Sequence, residues 1–319
     1  MIDKNSKNIK YPSQLGIFVG LTGGGFVVAL IVSFIIWLIM EGTPFPANTK
    51  EILQPKYYDV NMVIQAVSTF FIFWLPVYVF AMVCYRKPAI YLGYNFHFNY
   101  KQFLLLLGIL ILTFPLSGAL AELNKILPIP EHWALRFKAA EAAREAQEAA
   151  MIQMNSFPKY LISLVVIAFL PGLFEETFFR AGMQNLFTRW FNKPWLAIIV
   201  TSIIFSLIHL SYYGFIVRFA LGVILGLIFY YSGSLWLNIL FHFLFNGIQV
   251  TVLYIVTVSG IKINKDMESH FPLWMGIFAL VAMAYLFISF KRISVIEKMK
   301  YAEVDIPGND LPDWMQPNS

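Results

Sequence analysis

Two adjacent glutamates, Glu175 and Glu176, stand in the middle of an apolar run, LISLVVIAFLPGLFEETFFRAGMQNLF, and no other acidic side chain occurs between Tyr160 and Ser259. Ionisable groups buried in lipid cost at least a few kcal/mol each, so such residues usually face a polar cavity and serve function. Arg180 follows Glu176 by four positions, which places the two on one helical face where they can pair. Glu175 points about 100° away. One carboxylate is thereby neutralised while its neighbour stays free to exchange a proton.

Two further apolar runs carry polar groups at the same spacing: Phe205 and His209 in FSLIH, and His242 and Asn246 in HFLFN. His97, His132 and His270 fall instead in the connections. A free carboxylate, one imidazole, and a second imidazole with a carboxamide are sufficient equipment to activate water and hold an oxyanion. Taken singly, each pair has a plainer reading. Glu176 with Arg180 can be a structural ion pair, a membrane histidine can tie two helices together, and Phe205 can be packing. Their occurrence in order on neighbouring helices favours chemistry. Arg218, near the start of its run, reads as an interfacial residue whose stem lies along apolar surface while its head reaches water.

The elements that must position these groups are membrane helices. Of 319 residues, 59% are apolar and 13% are charged, against roughly 25% charged in soluble domains. Continuous apolar blocks of the length that crosses about 30 Å of hydrocarbon predict an all-α, polytopic bundle of about eight transmembrane helices. They lie near 15–40, 62–84, 103–120, 160–187, 195–211, 214–231, 235–259 and 271–290. Membrane strands would be shorter and would alternate. The first block is too long for a signal peptide and reads as a retained span. Lys and Arg in the short connections place both termini in the cytoplasm of an integral protein of the cell membrane.

The division expected is 1–159 for the first three spans with an extramembrane helix, 160–259 for a core, 260–300 for the last span, and 301–319 for a disordered tail. The extramembrane helix is the Ala-rich stretch from Glu131 to Met154, with Glu141, Arg144 and Glu148 spaced to pair. The net charge of +5 lies between apolar blocks and at the ends, not in a basic stripe, which argues against a nucleic-acid partner. Cys84 is the only cysteine, so an internal disulfide and a multi-thiolate metal site are both excluded.

EETFFR, FSLIH and HFLFN, in that order and each on its own span, resemble the three motifs of the CPBP intramembrane proteases, the CAAX-processing and bacteriocin-processing enzymes also called the abortive-infection family. The resemblance covers 160–259. It implies an endopeptidase acting on membrane-anchored peptide or protein substrates within the lipid bilayer. Glu175 then matches the residue that activates water, assisted by His209; His242 and Asn246 match the oxyanion pair; Glu176 and Arg180 match supporting positions. Glu175, His209 and His242 could supply the three protein ligands of a catalytic zinc, but no HExxH spacing demands a metal, and water activated by glutamate without a cofactor is the expectation.

Two readings from other classes compete. A proton-coupled transporter would use the same groups as a relay, though the inverted repeats common in such proteins are not visible. A non-catalytic scaffold or immunity protein would keep the site for folding alone. Pro171-Gly172 just before the glutamates reads as a kink that opens the site to water. His209 stands at the far end of its span and His242 near the start of its own, so a short or tilted fifth span is needed to bring them level.

Overall fold

The computed structural model describes residues 5–46, 48–151, 154–260 and 271–303. Among them, seven helices are long and apolar enough to cross a membrane: α1 (Tyr11–Glu41), α2 (Pro55–Cys84), α3 (Tyr100–Ile126), α5 (Phe157–Phe191), α7 (Phe215–Ser232), α8 (Leu235–Val258) and the stretch Leu273–Val295 of α9 (Leu273–Glu303). Between them lie the charged, Ala-rich helix α4 (Glu131–Met151) and the shorter apolar helix α6 (Pro194–Leu207). Large apolar side chains such as Phe26 and Ile31 on α1 and Phe278 and Val281 on α9 are exposed. A surface of that kind is covered by lipid in an integral membrane protein.

Each of the eight expected spans corresponds to a helix, but the fifth is short. At 14 residues, α6 extends about 21 Å, less than the roughly 30 Å of hydrocarbon. The chain leaves it in a turn at Leu207–Leu210 that carries His209, with Leu210 in the left-handed region at φ 50°. α9 continues as helix through 301–303 of the expected tail, and the rest of that tail lies outside the described residues.

Besides a small cluster of Tyr58, Met62 and Val166, the bundle has two large apolar cores. One joins α1, α2 and α5 through Phe18, Phe80, Phe178 and Phe179, with Phe205 of α6 completing it. The other joins α3, α7, α8 and α9 through Leu106, Leu225, Phe241 and Phe290. α3 starts at a capping box in which Asn99 and Gln102 each accept the other's backbone N–H at 3.0 Å, satisfying donors that a helix start leaves open.

α5 and α8 bring the two halves together. Two stretches of α5, Leu164–Phe169 and Thr177–Gln184, adopt the wider π-helical pattern, which is rare and recurs at functional sites. The first ends just before Pro171, which has no N–H to give the helix ladder. Gly172 is a place of close approach: a Cβ there would stand 3.2 Å from the Ile239 carbonyl oxygen and the Phe243 nitrogen of α8. Pro171-Gly172 therefore seats the glutamate turn directly against α8.

Candidate functional site

Glu176 is the centre of the polar cluster. Its side chain is completely buried, and His242 Nδ1 donates to Oε1 at 2.9 Å. Oε2 accepts from Asn238 Nδ2 at 3.2 Å and lies 3.0 Å from Arg180 Nε, an ion pair whose angle falls short of a hydrogen bond. The i,i+4 pairing of Glu176 with Arg180 is thus present. The Arg180 guanidinium is wholly buried, with its carbon 4.9 Å from the Phe205 ring centre, and Nη1 and Nη2 have no hydrogen-bond partner among the described residues. The negative ring face offers that cation a second attraction where water is excluded.

Phe205 does more than fill space, because both histidines pack against it. Its ring centre is 5.0 Å from that of His209 and 6.4 Å from that of His242. The short α6 and the turn after it thereby set both imidazoles beside one ring. His209 Nδ1 lies 2.7 Å from the Phe205 carbonyl oxygen. A carbonyl can only accept, so the proton sits on Nδ1 and Nε2 presents a lone pair. His242 is held by the same logic: Nδ1–H is committed to the Glu176 carboxylate and Nε2 faces away from it.

Glu175 makes no hydrogen bond or ion pair among the described residues and is half-buried. His242, Glu176 and Arg180 are within its electrostatic reach. Asn246 lies one turn beyond His242, half-buried and likewise without a hydrogen bond among the described residues. Glu176, Arg180, Phe205, His209 and His242 are therefore in direct contact as a chain of pairs, whereas Glu175 and Asn246 border that chain with their polar atoms uncommitted. No three His, Cys, Asp or Glu side chains among the described residues are grouped to hold a metal ion. Glu175, His209 and His242 are accordingly not drawn into one such group.

Residues 157–248 match the family model of the type II CAAX prenyl endopeptidase Rce1-like proteins. Over this stretch the chain is similar to Rce1-like proteins. The resemblance to the CPBP family read from EETFFR, FSLIH and HFLFN holds where those motifs lie, and the segment starts at the first residue of α5 and ends within α8. An uncharacterized 24.3 kDa protein of Escherichia coli is 34% identical over 92 residues, which are 28% of this chain and 42% of that protein. The match thus spans less than half of the curated relative. No solved structure matches the chain.

Three residues in and around this segment hold positions that the sequence did not foretell: Asn238, not singled out at all, and Glu141 and Arg218, each read there in another role. Asn238 is completely buried; its amide bridges Glu176 and the Leu225 carbonyl oxygen of α7 at 2.7 Å, while Oδ1 has no partner among the described residues. Its signal was the stripe Asn238, His242, Asn246 at intervals of four along α8. Glu141 of α4 is the second: it accepts from Ser211 Oγ at 2.7 Å and pairs with Arg144, and Phe137 stacks on Tyr212 at 4.8 Å. α4 is thereby fastened to the turn that carries His209. A cavity of about 580 Å³ lies between them, lined by Phe137, Ala140, Ser206, Leu210 and Phe215 among others.

Arg218 is the third, and it departs from the interfacial role expected of it. It is half-buried, Nη1 is fully enclosed, and Glu141 and His209 are within its electrostatic reach. The head turns inward because Gly214 leaves room: a Cβ there would stand 2.1 Å from Nη1.

The fastening of α4 is pH-dependent. Burial pushes the Glu141 carboxyl up, but the hydrogen bonds from Arg144 and Ser211 outweigh it and hold the group below its ordinary 4.5. A carboxyl depressed on folding stabilises the fold above its unfolded value and loses that contribution as pH falls through the folded value. With Arg144 partly exposed to solvent screening, the contribution is about 1 kcal/mol. Thermal melts should therefore separate wild type from Glu141→Gln at neutral pH and converge as the pH falls through the depressed folded value of the carboxyl; a gap that persists in acid would assign the bond to packing.

Proposed function

We propose that the chain is an intramembrane endopeptidase that hydrolyses peptide bonds of membrane-associated substrates with water activated by glutamate. The observation that carries this reading is the Glu176–His242–Phe205–His209 chain lying within the Rce1-like segment, beside a glutamate whose carboxylate makes no hydrogen bond or ion pair among the described residues.

Glu175 takes one proton from water as its oxygen attacks the scissile carbonyl carbon. The His209 Nε2 lone pair accepts a hydrogen bond from the same water and orients it. As the tetrahedral oxyanion forms, Asn246 donates from its amide and His242 from Nε2. With Nδ1–H tied to Glu176, the His242 ring carries a second N–H only as the imidazolium, whose charge the Glu176 carboxylate balances. Two donors aimed where charge develops are the usual means of stabilising acyl-transfer intermediates. Glu175 then returns its proton to the departing amine as the C–N bond breaks, and the new carboxylic acid gives its remaining proton to that amine, leaving a carboxylate, an ammonium and the regenerated Glu175 carboxylate.

Arg180 and Asn238 hold Glu176, and Glu176 holds His242. They act through position and charge rather than by touching substrate.

A pool of peptides with membrane anchors, incubated with the detergent-solubilised protein in ¹⁸O-water, tests the proposal. The expected result is cleavage that places one heavy oxygen in the new C-terminus and disappears in Glu175→Ala protein that still elutes and melts as wild type. Cleavage retained in that variant would remove Glu175 from the mechanism. Proton-driven uptake that depends on Glu175, with no cleavage, would favour a transporter. Zinc measured in protein purified without added metal checks the assignment of water activation to glutamate alone.

A further inference from the structure

A second groove lies away from the catalytic groups, on the lipid-facing side of α7 and α9. It has a volume of about 530 Å³ and a mostly apolar lining that includes Val223, Leu280, Ala284 and Phe287. Its size is in the range that holds a small ligand. One end is different: Trp195, Tyr231 and Lys291 close it. Lys291 Nζ sits 5.8 Å from the Tyr231 ring centre, its side chain is exposed, and no carboxylate pairs with it among the described residues.

Three features of this groove match a phospholipid. Along α9, Leu280 and Lys291 are separated by about 16 Å at 1.5 Å per residue, which is half of the roughly 30 Å hydrocarbon thickness, the depth of one leaflet. Tryptophan and tyrosine mark the headgroup level of membrane proteins, and both stand at the Lys291 end. Charge complements the third part: a lysine without a carboxylate partner among the described residues, followed directly by Arg292, attracts an anionic headgroup. The positive-inside pattern puts the start of α6 and the ends of α7 and α9 on the same side, the cytoplasmic one.

We infer that this groove is a binding site for one anionic phospholipid, an acyl chain lying along Val223, Ala284 and Phe287 and the phosphate at Lys291. Each basic side chain near a membrane surface contributes about 1 kcal/mol of attraction, or roughly fivefold in affinity.

The test is native mass spectrometry of the full chain released from nanodiscs of mixed phosphatidylglycerol and phosphatidylcholine. One phosphatidylglycerol is expected to remain bound more tightly than phosphatidylcholine; Lys291→Gln should lose that preference by about fivefold and Lys291→Arg keep it. Val223→Trp, which fills the groove, should release the lipid while the melting temperature in detergent stays that of a folded protein. Equal retention of the two lipids, or an unchanged preference in Lys291→Gln, would overturn the site. If glycerol phosphate alone displaces the lipid fully, the groove contributes nothing and only an anion contact remains. A mass of two chains that Val223→Trp reduces to one would make a second copy, rather than lipid, the occupant.

Discussion

Replacing Glu175 with Gln should leave a folded protein whose turnover is lower by a factor of about 10²–10⁴, the range for loss of a positioned general base. The expectation rests on what Glu175 does not do. It makes no hydrogen bond or ion pair among the described residues, so an isosteric amide removes no protein contact and the melting temperature should hold within a degree or two. A loss confined to kcat, with KM unchanged, follows if the carboxylate acts only as the bond to water forms. Glu175→Asp should retain part of the rate, because the group keeps its chemistry and moves by one methylene. Equal loss of stability and of rate in Glu175→Gln would show instead that the residue is structural.

Glu176→Gln should behave in the opposite way, with the larger cost in stability. The side chain is completely buried and meets three partners at once, His242, Asn238 and Arg180. An amide in its place leaves the Arg180 guanidinium as an uncompensated buried cation, and breaking such a pair typically costs about 3–5 kcal/mol. Chemical unfolding in detergent micelles checks the figure. Removing both charges, in Glu176→Gln with Arg180→Met, should recover much of the loss, since a buried pair replaced by apolar groups is often near neutral. Asn238→Ala should cost about 1–3 kcal/mol by exposing the Leu225 carbonyl and Glu176 Oε2 to an unfilled space. If Glu176→Gln unfolds at the wild-type denaturant concentration, the cluster is solvated and the three contacts are weak ones.

The contrast between these adjacent glutamates was visible in the sequence as geometry, because a residue four positions from an arginine shares its face and the preceding residue does not. The membrane helices were legible for a similar reason: the thickness of hydrocarbon fixes a length, and apolar runs of that length can be counted. What escaped were contacts between segments far apart in sequence. Nothing near Ser211 announces that Glu141, 70 residues earlier, will accept its hydroxyl proton. Asn238 was hidden by its chemistry, since an amide in a membrane helix does not stand out as a charge does; only its partner, on another helix, gives it meaning. Arg218 looked peripheral from its place at a helix start, and the glycine that lets it fold inward is four residues before it. The widened hydrogen-bond pattern at Thr177–Gln184 left the Glu176–Arg180 pairing intact, so the simple helical spacing gave the right answer over a backbone that is not simply helical.

The brevity of α6 also bears on the surrounding bilayer. Trp195, Leu196, Ile203 and Leu207 are exposed along it, so acyl chains meet an apolar surface some 9 Å shorter than the hydrocarbon layer they belong to. A deficit of this size is met by local thinning of the lipid, at a fraction of a kcal/mol per ångström. Such thinning lies beside the Leu207–Leu210 turn and lowers the polar headgroup region toward His209. Bilayer thickness thus becomes a variable of the proposed hydrolysis: membranes built from short-chain lipids relieve the mismatch, and long-chain ones oppose it.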